Sequence, residues 1–483
     1  MGGGAVTMMA GPLPLTILPL AMAPIVYFLR RWPMAASLSA LVTALATAGL
    51  CLRLPLDEPA YVLGRELALD HPSQIVLVFI LVTAAILFLC TWLTSQGPSF
   101  TPFGLAILGL LSGAATIRLF LFAALLLEIA AIIAVFAIQG DRQGPERVEG
   151  QSSEHVEGQG STRAGLRYLV MTALALPCLL VAAWLFEIHT RYPHNAALAE
   201  PAVTLLVLGF AILLGAVPFQ AWLPAVSVEA PPTVTAFLIG IVHPVLFLLL
   251  ANVFQRHSWL LADNRAFQLL TVGGLLTALV GGLLALGQQD FGRLLAYAAL
   301  SDLGCLLLGL GTASTEGLTA TALQLVNRSL ALVLAGVGLA ALRRYASSDA
   351  FADLGNMAWR MPLVSAGLLV SLLSLAGFPL TGGFASRWPI YRLVYQENHL
   401  YAIALAFSGG AAALGCWRGL LALLGPDTNP ESEREPIPPS QHLPTAAVML
   451  ILTLLCLALG LFPQSFLAPI LKLVESFTFL SSR

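Results

Sequence analysis

Runs of about 20 apolar residues recur along the whole chain, and this pattern restricts the possible folds more than any other feature. One run reads QIVLVFILVTAAILFLCTWL, from Gln74 to Leu93. Only 10% of the 483 residues are charged, whereas a soluble domain carries about 25%. A helix of about 20 apolar residues spans the roughly 30 Å of bilayer hydrocarbon. The sequence therefore predicts an all-α, polytopic membrane protein with about fourteen transmembrane helices.

The predicted spans cover nearly the whole chain, so residues 1–483 form a single membrane domain with no room for a soluble catalytic domain. The spans are residues 12–29, 34–52, 74–95, 102–115, 118–138, 166–186, 202–219, 232–254, 268–286, 293–311, 318–342, 362–397 with a break, 400–424 and 444–462. A short amphipathic segment, SFLAPILKLVESFTFL, follows them. The start of the chain lacks a basic n-region and a small-residue cleavage site, so we expect it to lead into a retained first helix.

Arginine predicts the orientation, because loops on the cytoplasmic side of a membrane are enriched in basic residues. Such residues flank the first, fifth-to-sixth and eleventh-to-twelfth connections, which lie on one side if the N-terminus is outside: Arg30, Arg31, Arg142, Arg147, Arg163, Arg167, Arg343, Arg344 and Arg360. Residues 140–165 repeat V-E-G-Q and have almost nothing to bury, which predicts a disordered cytoplasmic loop. We therefore expect the chain to reside in the cell (inner or plasma) membrane with its N-terminus outside.

Two predicted spans are interrupted by glycine and proline. The seventh reads LLGAVPFQAWLP around Gly215 and Pro218, and the twelfth reads SLAGFPLTGGFASRWP around Gly377 and Pro379. Proline removes one helical hydrogen bond, and lipid offers no replacement partner, so such breaks survive only where protein or water binds the freed carbonyls. Interruptions at corresponding positions of two halves are typical of transporters. We therefore expect two inverted five-helix repeats with discontinuous helices 7 and 12.

Ionisable residues inside the spans are candidates for function, because a carboxylate at a helix centre costs roughly 2.5 to 3.5 kcal/mol on insertion scales. Glu128 lies in LFAALLLEIAAIIAVFAIQ and His243 in FLIGIVHPVLFLLL. A carboxyl or an imidazole there can take up and release a proton, the imidazole having an unperturbed pKa of about 6.5. The alternative for each is a buried side chain that is hydrogen-bonded for packing only. The sequence does not separate the two.

Four further residues extend this series: Asp302, Arg328 and Arg387 in later spans, and Glu229 just after the first break. Acids and bases spread over successive helices are what a lateral proton relay needs, and we expect a pathway through Glu128, His243, Asp302 and Arg387. Arg418 has the simpler interpretation of a side chain that extends to the membrane interface.

Composition argues against several other classes of protein. The formal net charge of −2 leaves no basic surface for nucleic acid. The six cysteines stand singly in apolar segments without a C-x-x-C pair, which is typical of small buried hydrophobic residues. We therefore expect no metal site and no iron–sulfur cluster in this chain. The sequence also shows no substrate pocket or catalytic residues.

Three ordered motifs resemble the antiporter-like membrane subunits of respiratory complex I. They are DFGRLLAYAALSDLG from Asp290 to Gly304, VPFQAWLPAVSVEAPPTVTAFL at the seventh and eighth spans, and SLAGFPLTGGFASRW at the broken twelfth. Chain length and the T-A-F-L phrase are most similar to subunit N, and the E-A-P phrase to subunit M. The family is similar to the subunits of Mrp-type sodium/proton antiporters and of membrane-bound hydrogenases.

The resemblance implies roles for particular residues. Glu128 matches the family's fifth-helix glutamate, His243 the eighth-helix lysine, and Arg387 the lysine or glutamate of the twelfth helix. Other positions depart from the family. Leu213 stands at the position of the seventh-helix lysine. Of the other departures, Gly292 replaces a lysine and Ala225 an aspartate, and three residues replace histidines: Gln220, Asp302 and Arg328. Because leucine cannot titrate, the family's glutamate–lysine pair is missing and Glu128 lacks its partner.

The resemblance implies a proton-translocating membrane subunit of a complex-I-like NADH (or ferredoxin):quinone oxidoreductase. Such a chain has no redox centre of its own; NADH or ferredoxin, FMN, Fe-S clusters and quinone belong to partner subunits of the membrane and peripheral arms. Leu213 and Gln220 favour an alternative, a structural membrane-arm subunit that no longer pumps. A sodium/proton antiporter subunit and a hydrogenase membrane subunit are further alternatives, and the neighbouring genes would distinguish them.

Overall fold

The structure is a computed structural model that describes residues 11–62, 64–94, 99–140, 154–192, 198–261, 264–346, 348–426 and 439–477. The chain forms two compact units. The first unit comprises residues 1–214, 241–266 and 472–483, and the second comprises residues 215–240 and 267–471.

The first unit is built from packed helices and one short antiparallel hairpin. Helix α1 packs on α4, α2 on α3, α5 on α4 and α6, and α7 on α6, while α10 contacts α3, α4 and α7. The hairpin pairs Tyr61 with Glu66. The bounds are α1 Leu13–Phe28, α2 Pro33–Cys51, β1 Ala60–Val62, β2 Arg65–Leu67, α3 His71–Thr94, α4 Phe100–Thr116, α5 Phe120–Gln139, α6 Glu154–Arg191, α7 Ala199–Leu214 and α10 His243–Arg256.

The second unit is organised around two helices that are buried along most of their length, α12 and α13. Helix α13 packs against α9, α12, α15, α16 and α18. The bounds are α8 Trp222–Glu229, α9 Pro232–Phe237, α11 Arg265–Leu286, α12 Phe291–Gly311, α13 Thr315–Arg343, α14 Met357–Arg360, α15 Pro362–Ala376, α16 Gly382–Glu397, α17 His399–Leu424, α18 Pro439–Leu461 and α19 Gln464–Glu475.

Helix length and composition agree with a chain that crosses the membrane many times. Within the described ranges, 11 helices are long and apolar enough to span a bilayer, and 3 shorter apolar helices accompany them. The shorter ones are α4, α7 and α15, and the last two end at the predicted breaks. The chain is therefore an integral, multi-pass membrane protein of the all-α class.

Part of the segment predicted as a disordered loop, residues 140–165, is helical. Residues 141–153 lie outside the described residues, but α6 already begins at Glu154. Ser161 and Ala164 are buried in that helix. The prediction considered polarity alone, whereas a polar segment continuous with a membrane helix extends it at low cost, because each added residue contributes one hydrogen bond without a new nucleation step.

Both glycine–proline segments interrupt helices. Helix α7 ends at Leu214, Gly215 has a φ of 70°, and α8 begins only at Trp222. Helix α15 ends at Ala376, Gly377 has a φ of 77°, and α16 begins at Gly382. Glycine takes this left-handed conformation readily because it has no Cβ. That the two breaks belong to inverted repeats stays a prediction.

Candidate functional site: a buried ion-pair cluster at a broken helix

The second unit holds a buried carboxylate in its most enclosed helix. Asp290 caps the N-terminus of α12 by accepting a hydrogen bond from the backbone N–H of Arg293 at 2.7 Å. Asp302 follows on the same helix and is fully buried. A buried charge is tolerated only when it is paired and hydrogen-bonded, so the partners of Asp302 define the site.

Two arginines from two other helices bind this carboxylate. Arg328 Nη1 of α13 donates to Asp302 Oδ2 at 2.7 Å, and Arg387 Nη2 of α16 donates to Oδ1 at 3.0 Å. Gln324, one helical turn before Arg328, also donates to Oδ1 and accepts a hydrogen bond from the Ser386 hydroxyl. Helices α12, α13 and α16 are thus joined by one polar network, which we call the Asp302 cluster: Asp302, Gln324, Arg328, Ser386 and Arg387.

The cluster carries one more positive than negative charge, and main-chain carbonyls compensate for the excess. Arg328 Nη1 donates to the carbonyl of Ala299 at 2.7 Å. Arg387 Nη1 donates to the carbonyl of Ala376 at 2.9 Å, and its Nη2 also donates to that of Leu375. These last two carbonyls end α15, where the helix dipole is negative and no helical N–H follows. Arg387 therefore binds the backbone groups that the break exposes.

A second polar contact holds the two halves of the broken helix together. Ser374 Oγ of α15 donates to Asn327 Oδ1 of α13 at 2.7 Å and accepts from the backbone N–H of Gly383 at 3.3 Å. The approach is so close that a Cβ at Gly383 would lie 1.7 Å from the Ser374 carbonyl oxygen. Asn327 Nδ2 is buried and has no hydrogen-bond partner in the described part of the chain. The break is thus held by side chains of α13.

The geometry gives the Asp302 cluster a fixed charge. Protonation of Asp302 would leave two buried guanidinium groups without a carboxylate, and an unpaired buried charge is strongly unfavourable. Each arginine binds a different carboxylate oxygen. A displacement of α16 can therefore weaken the Arg387 ion pair while the Arg328 ion pair stays in place.

Glu128 lies in the first unit, on α5, and is half-buried. The Tyr168 phenol of α6 is near enough to interact with it electrostatically. Glu128 forms no ion pair in the described ranges. Leu213, which stands where the family keeps lysine, is half-buried on α7. Glu128 is consequently an acid whose protonation is not tied to a bound cation.

His243 also belongs to the first unit and is 1% exposed. It begins α10 directly after a π-helical turn, Leu238–Val242. Pro244 has no N–H to donate to the carbonyl of Gly240 four residues earlier, and the hydroxyl of Ser329 donates to that carbonyl at 2.5 Å instead. Single π turns are frequent at functional sites. The proline is the one sequence feature that could have indicated this turn.

Glu229 is half-buried as the last residue of α8 and lies outside the Asp302 cluster. Arg343 binds the end of that helix by donating to the carbonyls of Ala230 at 2.9 Å and Ser227 at 3.1 Å. The Nε of Arg343 donates in turn to Asp349 Oδ1 at 2.7 Å. Sequence reasoning used Arg343 only as an indicator of orientation and missed its role in fixing α8.

The first break contains an unpaired amide. Gln220, at the position of the family histidine, has a buried side-chain oxygen without a hydrogen-bond partner among the described residues. The backbone N–H of Val217 donates to Thr277 Oγ1 at 3.1 Å. The first break is therefore held by a neutral hydroxyl, whereas the second is held by the charged Arg387.

Side chains that could bind a metal or a redox group form no cluster in the residues that the structure describes. No group of three or more His, Cys, Asp or Glu side chains that could hold a metal ion occurs among them. The six cysteines are free. What the site offers instead is buried charge, ion pairs and hydrogen bonds.

The predicted pathway is only partly assembled in one place. The structure brings Asp302, Arg328 and Arg387 into direct contact, whereas Glu128 and His243 belong to the other compact unit. Sequence reasoning had spread the later residues over successive helices as separate stations. They form a single cluster because α12, α13 and α16 pack together and the carboxylate of Asp302 binds both guanidinium groups. A relay through all of them stays a prediction.

Comparison with known proteins places the chain in a family. Residues 154–412 match the family model of the NADH:quinone oxidoreductase/Mrp antiporter transmembrane region. NADH-quinone oxidoreductase subunit N of Chromohalobacter salexigens is 30% identical over 323 residues, which are 63% of this chain and 67% of that protein. Subunit N 2 of Acidobacterium capsulatum is 29% identical over 429 residues, 82% of this chain and 81% of that protein.

Solved structures share the fold at lower identity. A chain of the Thermus thermophilus respiratory complex I has a TM-score of 0.76 at 22% identity, covering 97% of this chain and 99% of that one. A chain of the Dietzia Mrp complex gives 0.76 at 18% identity, covering 98% and 99%. A chain of an archaeal membrane-bound sulfane sulfur reductase gives 0.80 at 18% identity, covering 98% of each.

The family match covers more than half of the chain, and it includes both helix breaks and the whole Asp302 cluster. The curated relatives and the shared fold agree with it. The chain belongs to the NADH:quinone oxidoreductase/Mrp antiporter transmembrane family, as an antiporter-like membrane subunit.

Proposed function

We propose that the chain is a proton-translocating membrane subunit of a complex-I-like NADH (or ferredoxin):quinone oxidoreductase. In this proposal NADH or ferredoxin, FMN, Fe-S clusters and quinone react in partner subunits, and this chain contributes transport through the membrane. Its N-terminus lies outside, as the arginine distribution favours. The names of its relatives support the assignment.

One observation carries the proposal: a fixed, buried charge cluster binds the carbonyls at a broken membrane helix. Transport that is coupled to a remote reaction needs an element whose conformation responds to charge. Arg387 joins Asp302 to the end of α15, so a proton or positive charge that approaches Asp302 competes directly with the bond holding the break. Loss of that bond frees the carbonyls for water, which is the medium for proton transfer in an apolar core.

Two titratable groups then carry protons in this proposal. Glu128 is half-buried without an ion pair in the described part of the chain, and His243 is buried beside a π-helical turn. An imidazole suits proton transfer near neutral pH, as the family's lysine does once burial has destabilised its charged form. The Asp302 cluster supplies the fixed charge that their protonation responds to.

The test replaces Arg387 with glutamine in the intact complex, reconstituted into liposomes. Glutamine removes the guanidinium that binds a carboxylate and two carbonyls together, whereas lysine would install a residue that the family uses at this position. We expect NADH oxidation to continue while fewer protons are translocated per electron. Arg392→Gln is the matched control, because Arg392 lies on the same helix and forms an exposed pair with Glu316. An unchanged proton-to-electron ratio in Arg387→Gln would contradict the proposal.

A structural subunit without transport is the second candidate, and it rests on one observation. The first break lacks charge: Leu213 replaces the family lysine, and Gln220 has an unpaired side-chain oxygen in the described residues. If the chain is only a scaffold, Arg387→Gln and Glu128→Gln should both leave the proton-to-electron ratio unchanged while deletion of the chain prevents assembly. A lowered ratio in either variant excludes this candidate.

A further inference from the structure

A pocket of about 460 Å³ opens in the first unit and shares no residue with the Asp302 cluster. Its walls are the first turns of α5 and the last turns of α6 and α10. We call it the rim pocket and define it by Arg118, Phe120, Phe186, Asn252, Arg256 and His257. Since it is formed by helix ends, it lies at the end of the membrane spans, where lipid headgroups meet water.

The arginines around the rim pocket share its carboxylates unequally, because Arg118 lies near two of them. Arg118 Nε lies 3.6 Å from Glu66, and Asp57 is 4.0 Å from its Nη2. Arg191 lies 3.7 Å from Glu187. Arg256 donates to the backbone carbonyl of Arg118 but forms no ion pair with any described residue.

The surroundings of Arg256 add to this imbalance. Arg118 is a neighbouring like charge, and Asp70 and Glu66 attract the guanidinium from beyond ion-pair distance. Among the described residues, one positive charge on the rim therefore has no bound carboxylate. Arg256 is thus available to bind one negatively charged group of a ligand.

Asn252 gives the pocket a polar group at depth. It is only 8% exposed and lies on α10 among apolar neighbours, Leu249 and Val253. Its amide forms no hydrogen bond with a described residue, yet it lines the pocket. Buried polar side chains are nearly always hydrogen-bonded. The amide is therefore placed to bind an oxygen of a ligand.

The rest of the wall is apolar. Phe120, Ala123, Ala183 and Leu249 line it together with Phe186, whose ring stacks on His257 with the centroids 4.7 Å apart. A small inorganic anion would leave this surface uncovered. A molecule with one negative charge, ester oxygens and an alkyl part matches the guanidinium of Arg256, the amide of Asn252 and the apolar side chains.

We propose that the rim pocket binds a membrane phospholipid, with its phosphodiester on Arg256, an ester oxygen on Asn252 and its alkyl part along Phe120 and Leu249. A phosphodiester carries one negative charge, and arginine binds it through two parallel N–H donors. The proposal is independent of whether the chain translocates protons, because the pocket shares no residue with the Asp302 cluster.

The test measures binding of dioctanoyl phosphatidylglycerol to the delipidated full-length chain in a phosphate-free, uncharged detergent. We expect saturable binding of one lipid per chain, weakened at least about tenfold by Arg256→Gln and by Asn252→Leu. Arg256→Lys should lie between wild type and Arg256→Gln. Arg265→Gln is the matched control, because Arg265 also lies in the first unit, outside the pocket, where it pairs with Glu200.

Each outcome decides the question. Equal affinity of wild type, Arg256→Gln and Asn252→Leu would overturn the proposal, as would inorganic phosphate binding as tightly as the lipid, which would indicate a site for a free anion. A dependence on Arg256 and Asn252 for the lipid, with phosphate much weaker, supports it. Thermal unfolding of each variant without lipid shows whether the variant is folded. If Arg256→Gln is not folded, the affinity of Arg256→Lys decides the test.

Discussion

The two compact units treat buried charge in opposite ways. In the second unit Asp302 is bound by two arginines and a glutamine, and all of these side chains are fully buried. In the first unit Glu128 is half-buried and has no ion pair in the described ranges. Paired charges are fixed, because a change of protonation strands the partner, whereas a solitary acid can change its protonation at lower cost. The second unit thus contains a fixed charge, whereas the first unit contains an acid that can gain or lose a proton.

Removal of the shared carboxylate should have the largest effect. Asp302→Asn leaves Arg328 and Arg387 buried without a counter-ion, and we expect the free energy of unfolding to fall by about 3–5 kcal/mol. Unfolding of the full chain in detergent, followed by circular dichroism against denaturant, measures this.

Two variants test the reason for that loss. Asp290→Asn is the matched control on the same helix, since asparagine caps a helix as well as aspartate does, and it should change stability little. Adding Arg387→Gln to Asp302→Asn removes one stranded charge and should restore part of the stability. If the double variant is no more stable than Asp302→Asn, the charges are not what makes Asp302 necessary.

His243 offers an intermediate effect. His243→Ala should reduce the free energy of unfolding by about 1–3 kcal/mol, since it opens a cavity at a fully buried site, and it should lower proton translocation in the intact complex. His243→Lys restores a titratable group of the family's type, so we expect assembly and transport to be retained. Failure of His243→Lys to assemble would show that the positional match with the family lysine is wrong.

Glu128→Gln should barely affect stability, because no bound cation is stranded; we expect less than about 1 kcal/mol. Proton translocation per electron should nevertheless fall in the intact complex, with assembly unchanged. Glu200→Gln, a surface acid of the same unit that pairs with Arg265, is the control. A normal ratio in Glu128→Gln would remove Glu128 from the pathway and favour a purely structural role.

His257 should produce the smallest effect, visible only as a dependence on pH. Burial, followed by the positive charges of Arg256 and His189, lowers its pKa from 6.5. Below that pH the unfolded chain binds more protons than the folded chain, so stability falls as pH drops from 6.5 towards the lowered pKa and is constant above it. His257→Gln should flatten this part of the stability–pH curve, measured by thermal unfolding in detergent. An unaltered slope would show that another group causes it.

The sequence predicted what local chemistry determines. Hydropathy was sufficient for the helices, and the glycine–proline pairs at Gly215 and Gly377 were sufficient for the breaks, because both act within a few residues. The sequence singled out Asp302, Arg328 and Arg387 as candidates but did not predict that they contact one another. Their contact depends on which faces of α12, α13 and α16 meet. The spacing of Gln324 and Arg328, four residues apart on one helix face, was a usable signal that was missed.

The rim pocket and the role of Arg343 were beyond prediction for the same reason. The pocket combines three helix ends that are more than 60 residues apart in the chain. Arg343 binds carbonyls more than 110 positions earlier. No pattern within a single segment reports such a contact.

The hydroxyl of Ser329 on the carbonyl of Gly240 makes two positions in the chain interdependent. While residue 244 is proline, that carbonyl has no donor four residues further on, and the hydroxyl of residue 329 supplies a hydrogen bond. Replacing Pro244 with alanine returns the N–H to the helix and frees position 329 to vary. Because Ser329 directly follows Arg328, a helix register that suits this bond also orients Arg328 towards Asp302. A designer who straightened the helix at Pro244 would therefore remove one of the constraints that fix the charge of the second unit.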